Sequence, residues 1–161
     1  MTAHVHPPRP SELWKSLSES RRQEAAQAFW SDEQSYAEQA EVIGLIARQI
    51  NFRAKSVLAM PVEKKVTYLT RTARVSDNVA ARLLVSYHLA AQRPMMAAFL
   101  DSLGIKHEDG LIAEEDVKAP DAALLSDAGR KLLAAWPADD VRLYFSTLVM
   151  QDPGTWGALA P

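Results

Sequence analysis

The sequence predicts an all-α protein: a compact multi-helix bundle or orthogonal helical array of about eight helices, with no sheet. The chain of 161 residues contains 26 Ala and only 6 Gly. Alanine loses no side-chain entropy in a helix, whereas glycine loses the most backbone entropy, so this composition favours helix. No run of alternating β-branched residues predicts a strand, and no repeat of fixed period predicts a solenoid.

The chain length favours one domain with short appendages. Three prolines within residues 4–10 predict a flexible proline-rich arm over residues 1–10, because proline cannot donate the backbone hydrogen bonds of a helix. We expect a single helical domain over residues 11–152. The turn sequence Asp152-Pro153-Gly154 then begins a C-terminal tail over residues 153–161.

Start signals mark three helices near the N-terminus. Ser11 is placed to cap a short helix, and two pairs have the spacing of a capping box, Ser20 with Gln23 and Ser31 with Gln34. After the second pair, apolar residues recur at intervals of four and three, which predicts one face of a helix over four turns. These residues are Tyr36, Ala40, Ile43, Ala47 and Ile50.

The middle of the chain contains three more predicted helices. A short helix over residues 53–60 must end before Pro61, because proline disfavours helical geometry in the residue that precedes it. The next helix spans residues 62–72. Ser76 then caps a helix over residues 77–92.

The C-terminal third contains two long helices after a compact one. Residues 95–103 form the compact helix, which ends at Gly104. Residues 106–120 are predicted to be irregular. Asp121 caps the next helix, and a final helix follows Pro137. Its inward stripe is Val141, Tyr144, Phe145 and Leu148.

Charge is distributed unevenly along the chain. Residues 48–93, which we call the basic block, hold nine Lys or Arg against only Glu63 and Asp77, a net charge of +7. Residues 1–47 sum to −3 and residues 94–161 to −6. Such polarity favours binding to a polyanion, to an acidic partner, or to the chain's own acidic segments.

Within the basic block, residues 69–84 resemble the helix-turn-helix motif of bacterial repressors. The matching positions are Leu69, Ala73, Val75, Ser76, Arg82 and Leu84. Arg74 stands where the motif usually has glycine, and arginine tolerates the positive φ of that position poorly. The resemblance implies a DNA-binding transcriptional regulator that uses the segment 62–92.

That alternative assigns six polar side chains to an anion or a nucleic acid. The candidate contacts are Lys64, Lys65, Arg71, Arg74, Asn78 and Arg82. Asn78 and Arg82 lie four residues apart on one polar stripe and would face base edges, while the lysines and Arg71 would contact phosphates. A sequence pI near 6.1 is unhelpful for binding DNA.

Acidic residues concentrate in the stretch predicted to be irregular, around Leu111 and Ile112. This acidic strip consists of Glu108, Asp109, Glu114, Glu115 and Asp116. A calcium loop is excluded, because an EF-hand register would put Ile105 where a carboxylate is needed. Two interpretations remain, a lid or docking strip and a solvated surface loop. We expect the strip to contact the basic block, within one chain or across a dimer.

Few residues suggest catalysis. The absence of Cys excludes thiolate metal sites and cysteine nucleophiles. No glycine-rich phosphate loop or Gly-x-Ser-x-Gly elbow occurs, so we expect no cofactor and no metal. A small helical enzyme is the second alternative, and its catalytic residues cannot be assigned. Its candidate polar groups are Arg82, Tyr87, His88 and His107.

We therefore expect a non-enzymatic helical interaction or regulatory module that self-associates through its basic and acidic segments. The expected partner is a protein or a second copy, giving a homo-oligomer; nucleic acid is the alternative. We expect no membrane partner, because no apolar run approaches the ~18 residues that span a bilayer. Residues 1–10 also lack the apolar core of a signal peptide, which predicts a cytoplasmic protein.

Overall fold

Helices dominate the chain, and the all-α class is confirmed. The structure, a computed structural model, describes residues 8–72, 74–114 and 117–159. Those residues contain ten α-helices: α1 (Pro10–Ser16), α2 (Glu19–Ser31), α3 (Tyr36–Ile50), α4 (Ala54–Leu58), α5 (Val62–Arg71), α6 (Asp77–Ala91), α7 (Arg93–Leu103), α8 (Ala122–Ala135), α9 (Ala138–Gln151) and α10 (Pro153–Trp156). Two strands, β1 (His107–Glu108) and β2 (Leu111–Ile112), and two 3₁₀ turns, Glu33–Ser35 and Gly157–Leu159, complete the described elements.

Backbone contacts divide the chain into two compact units, and the boundary falls within α6. We call residues 10–87 the N-terminal unit. The C-terminal unit comprises residues 88–159 with Pro8 and Arg9. Most of the predicted proline-rich arm lies outside the described residues, and the predicted boundaries of arm, domain and tail stay predictions.

In the N-terminal unit, α2 packs against α5. Phe29 on α2 and Leu69 on α5 are fully buried. Trp14 on α1 is also fully buried, and its indole Nε1–H donates a hydrogen bond of 2.8 Å to the carbonyl oxygen of Thr72. A buried indole needs an acceptor of this kind, so Trp14 fixes α1 to the end of α5.

A buried hydroxyl holds the corner between α2 and α3. Ser35 Oγ lies 2.6 Å from the carbonyl oxygens of both Phe29 and Asp32, and it accepts a 2.8 Å hydrogen bond from the Gln39 amide. The Asp32 carboxylate accepts a hydrogen bond of 2.8 Å from Ser86 Oγ on α6. The Ser35 hydroxyl thus serves carbonyl groups at the end of α2 that have no partner within the helix.

Three of the predicted helix starts were wrong. Ser11 lies inside α1, which begins at Pro10. Ser20 lies inside α2, and the residue that caps this helix is Ser18, whose Oγ accepts the backbone N–H three residues on at 3.2 Å. Ser31 is the last residue of α2, and Asp32 caps the following 3₁₀ turn. Because serines are frequent in this stretch, capping-box spacing alone did not select the correct one.

Helix α3 buries a face that overlaps the predicted one only in part. Ala47 is buried as predicted, but Tyr36 is 68% exposed, and Val42 and Ile46 are buried instead. Both sets of apolar residues have helical spacing, so the periodicity correctly predicted a helix but not the face that packs.

The C-terminal unit has an aromatic core. The predicted stripe of α9 is confirmed, since all four of its residues are buried. The Phe99 ring on α7 meets Tyr144 edge-on at 5.7 Å and lies 5.2 Å from Phe145, measured between ring centroids. Trp156 on α10 is buried and lies 6.1 Å from Phe99, so residues expected in the tail contribute to this core.

A small antiparallel hairpin lies in the stretch predicted to be irregular, and the expectation of no sheet missed it. His107 pairs with Ile112, and Glu108 pairs with Leu111. The turn consists of Asp109 (φ 49°) and Gly110 (φ 90°), an Asp-Gly pair suited to two consecutive positive φ values. Strands of two residues are too short to show an alternating pattern in the sequence.

Gly110 seats the hairpin against α7. A Cβ at this position would lie 3.0 Å from the Arg93 carbonyl oxygen and 3.0 Å from Met96 Cβ. The absence of a side chain therefore allows both the positive φ and the close approach to α7.

Among the described helices, none combines the length and the apolar character that a membrane span requires.

We predict that Gly110→Ala destabilises the protein by about 2 to 3 kcal/mol, because alanine would adopt a positive φ and crowd α7. Gly44→Ala is the matched control: its Cβ would meet nothing within 4 Å, and it lies inside α3. That variant should be more stable by about 0.5 to 1 kcal/mol. Urea denaturation measures both changes, and a neutral Gly110→Ala would contradict the packing of the hairpin.

Burial raises the pKa of Tyr144 above its ordinary value. The unfolded chain then ionises at lower pH than the folded chain, so this contribution to stability is complete below about pH 10 and is lost as the pH rises further. We predict that the free energy of unfolding falls less steeply above pH 10 in Tyr144→Phe than in the parent. Urea denaturation between pH 8 and about pH 11 tests this. Identical slopes in Tyr144→Phe and the parent would refute the assignment.

Candidate interaction site

The segment that resembles a helix-turn-helix forms α5, a connection over residues 72–76, and α6. Ser76 caps α6 as predicted, since its Oγ accepts the Val79 N–H at 3.2 Å. Arg74 is exposed and is not one of the described residues with positive φ, so the connection differs from the glycine turn of the motif. Ala73 lies outside the described residues.

Helix α6 leaves little surface for reading DNA bases. Its buried residues are Val79, Ala80, Leu83, Leu84, Ser86, Tyr87 and His88. Of the two candidate base contacts, Asn78 is exposed and Arg82 is partly exposed. A recognition helix places three or four side chains in the major groove. The exposed surface of α6 is therefore small for that role.

The two adjacent lysines of α5 lie in different environments. Lys64 is exposed, whereas Lys65 is only 8% exposed. Lys65 Nζ donates a hydrogen bond of 3.3 Å to the Leu58 carbonyl oxygen and lies 5.1 Å from the centroid of the Trp30 ring. Lys65 is thus bound within its own unit, and Lys64 is accessible.

Arg71 lines a shallow groove of about 210 Å³ between α2 and α5. Glu19 lies opposite with the opposite charge. The hydroxyls of Thr67 and Thr70 donate to backbone carbonyls of α5. The groove therefore has no set of convergent donors for an anion.

The acidic strip is partly engaged in local contacts. Arg93 Nη1 donates a hydrogen bond of 3.0 Å to the Asp109 carbonyl oxygen and lies 4.0 Å from its carboxylate. Glu114 Oε1 accepts the Lys106 N–H at 3.2 Å, and Glu108 is exposed. One member of the basic block, Arg93, therefore contacts the strip. Glu115 and Asp116 lie outside the described residues.

His107 fastens the hairpin. Its Nδ1 accepts the Gly110 N–H at 3.0 Å, and its Nε2 lies 2.6 Å from Asp101 Oδ1. Because a backbone N–H can only donate, Nδ1 carries no proton, and Nε2 donates to the carboxylate. Both ring nitrogens are occupied, so the geometry gives His107 a structural role.

Two of the other groups considered for catalysis lie in the core. Tyr87 and His88 are each 3% exposed. Within the described parts of the chain, no cluster of three or more His, Asp or Glu could hold a metal ion.

A different segment combines exposed apolar and basic side chains. It lies where α3 leads through α4 into α5, and we call residues 48–64 the junction. Seven large apolar side chains are exposed among the described residues, and three of them fall within the junction: Phe52 (53%), Leu58 (59%) and Val62 (49%). Single exposed apolar residues are normal, but several in one short segment are typical of interaction sites.

The backbone of the junction is firmly held at Phe52. Asn51 ends α3 in the left-handed conformation, with φ 56° and ψ 44°, and the Phe52 N–H donates a hydrogen bond of 2.9 Å to the Ala47 carbonyl oxygen. In helix ends of this type, an apolar residue after the left-handed one often packs back on the helix. Phe52 instead remains half exposed.

Helix α4 buries only one side chain of its own. Val57 is fully buried, and Lys65 binds the carbonyl oxygen of Leu58. A helix of five residues cannot bury a wide face, so the Leu58 side chain stays in solvent on an ordered backbone.

Four cations accompany these apolar residues. Arg48, Arg53, Lys55 and Lys64 are exposed. None of the four forms a side-chain hydrogen bond or an ion pair with a described residue. Glu63 is the one acidic residue in the junction, so its net charge is +3. Uncompensated charge beside exposed apolar groups makes the junction the strongest candidate binding surface.

The sequence contained only part of this information. The cations belong to the basic block, but no motif or apolar periodicity in the sequence marks the three apolar residues as exposed. The available signal for their exposure was the short helix that must end before Pro61. A helix of that length has too little surface to bury the apolar residues that flank it.

We predict that Lys65→Ala lowers the free energy of unfolding by about 1 to 3 kcal/mol, because it removes a buried stem, a hydrogen bond and a cation–π contact. Lys64→Ala, one residue away and exposed, should stay within about 0.5 kcal/mol of the parent. Urea denaturation of both variants measures the difference. Equal effects would contradict the inward placement of Lys65.

Comparison of the chain with protein-family models, with curated proteins and with solved structures gives no match.

Proposed function

We propose that this chain is a non-enzymatic helical interaction module that binds an acidic and partly apolar protein surface at the junction. The observation that supports this is the occurrence of Phe52, Leu58 and Val62 among four exposed cations that pair with no described residue. Aromatic and aliphatic anchors contribute most of the binding free energy at protein interfaces, and charged residues around them guide association.

The apolar residues argue for a protein partner in preference to DNA. A phosphate backbone rewards cations but gives no gain for burying Phe52 or Leu58. Burial of apolar area contributes roughly 25 cal/mol per Å², so these side chains favour a partner that is itself apolar at the centre of contact. Acidic groups on that partner would pair with Lys55 and Lys64.

A DNA-binding regulator is the alternative, because α5 and α6 do follow the order of a helix-turn-helix and Arg71 and Arg74 are exposed there. The two candidate functions use different cations, so charge reversal separates them. Lys55→Glu/Lys64→Glu alters the junction, and Arg71→Glu/Arg74→Glu makes the same change in charge at the helix-turn-helix-like segment.

Fluorescence anisotropy with three labelled probes tests the proposal: a Glu-rich peptide that contains Leu, the same peptide with Ser in place of each Leu, and random-sequence duplex DNA. We expect the Leu peptide to bind more tightly than the Ser peptide. Lys55→Glu/Lys64→Glu should weaken that binding by about tenfold, or ~1.4 kcal/mol, because two attractive contacts become repulsive. Arg71→Glu/Arg74→Glu should have little effect.

Tight DNA binding that is abolished by Arg71→Glu/Arg74→Glu would support the regulator instead. Equal binding of the Leu and Ser peptides would show that the apolar residues take no part.

A further inference from the structure

The hairpin of the C-terminal unit is an exposed, ordered acidic element. We call residues 107–114 the acidic hairpin; it contains Glu108, Asp109 and Glu114 and has a net charge of −3 with His107 neutral. Leu111 is 48% exposed in its second strand.

Contacts on both sides keep the acidic hairpin in one conformation. His107 binds the Gly110 N–H and Asp101, and Arg93 binds the Asp109 carbonyl oxygen. Ile112 packs against the core of its unit. Little conformational entropy would be lost if a partner bound this element, because it is already ordered.

The acidic hairpin has the chemistry that the junction requires. Its net charge of −3 is opposite in sign to the +3 of the junction, and Arg93 offsets part of the charge of Asp109. Its exposed Leu111 lies in the sequence between Glu108 and Glu114, as Leu58 lies between Lys55 and Lys64. We infer that the junction of one copy binds the acidic hairpin of a second copy. This inference rests on the proposed function and names the partner surface.

Such a contact joins two different surfaces, so each copy offers one of each and association proceeds head to tail. Both elements are small. The interface is therefore in the size range of weak, transient complexes, and we expect a dissociation constant on the order of 100 µM at low salt.

Light scattering and sedimentation velocity test this with two complementary variants. Lys55→Glu/Lys64→Glu disables the junction. Glu108→Gln/Glu114→Gln disables the hairpin, and Gln at position 114 retains an oxygen that can accept the Lys106 N–H. Thermal melts first establish that both variants fold as the parent does.

The mass of the parent should rise above the 17.8 kDa of one chain as its concentration increases, and should fall again at high salt. Each variant alone should remain at 17.8 kDa. An equimolar mixture should associate again, because one variant supplies an intact hairpin and the other an intact junction. Its mass should stop at about twice that of one chain, because the remaining surfaces are disabled.

An apolar substitution provides a matched control. Leu111→Ser should weaken association of the parent by about fivefold. Leu124→Ser, on α8 at 43% exposure, should leave the association of the parent unchanged.

A parent that stays at the mass of one chain while the Leu-containing acidic peptide still binds would overturn self-docking and leave the proposed function standing. Self-docking would also be overturned if either double variant associated as strongly as the parent does. Absence of both self-association and peptide binding would remove the proposed function as well.

Discussion

The inward placement of Lys65 is the constraint on which the junction depends. Its ammonium group binds the last carbonyl of α4 and lies over Trp30 of α2, so a five-residue helix that buries only Val57 is held in place. Successive residues on a helix point about 100° apart. Fixing Lys65 inward therefore leaves Lys64 in solvent, and the packing of α5 on α2 decides which cations a partner can reach.

The helical class was predictable because helix propensity and apolar spacing are local properties of the chain. The face that packs is not local. Tyr36 and Val42 lie on stripes of equal regularity, and only the position of neighbouring helices decides that Val42 is buried. The hairpin was missed for another reason: its strands hold two residues each, and the signal is confined to the Asp109-Gly110 turn.

The candidate site was half predictable. Its cations follow from charge counting, because lysine and arginine mostly remain at the surface. Lys65 shows the limit of that rule, since tertiary contacts bury it. For the apolar half, the sequence contained only an indirect signal, the short helix that must end before Pro61. Phe52 and Leu58 are residue types that usually enter a core, and their exposure results from the short α4 and the left-handed Asn51 that turns the chain away.

The turn of the acidic hairpin also affects the chemical degradation of the chain. At an Asp-Gly step the glycine nitrogen readily attacks the side-chain carboxyl carbon of the aspartate and forms a cyclic imide with loss of water, because glycine has no side chain to obstruct the ring. Here one peptide group is held at both ends: Arg93 binds the Asp109 oxygen, and His107 binds the Gly110 nitrogen. The folded hairpin thus protects its own backbone from isomerisation, and isoaspartate would accumulate first in molecules whose hairpin has opened.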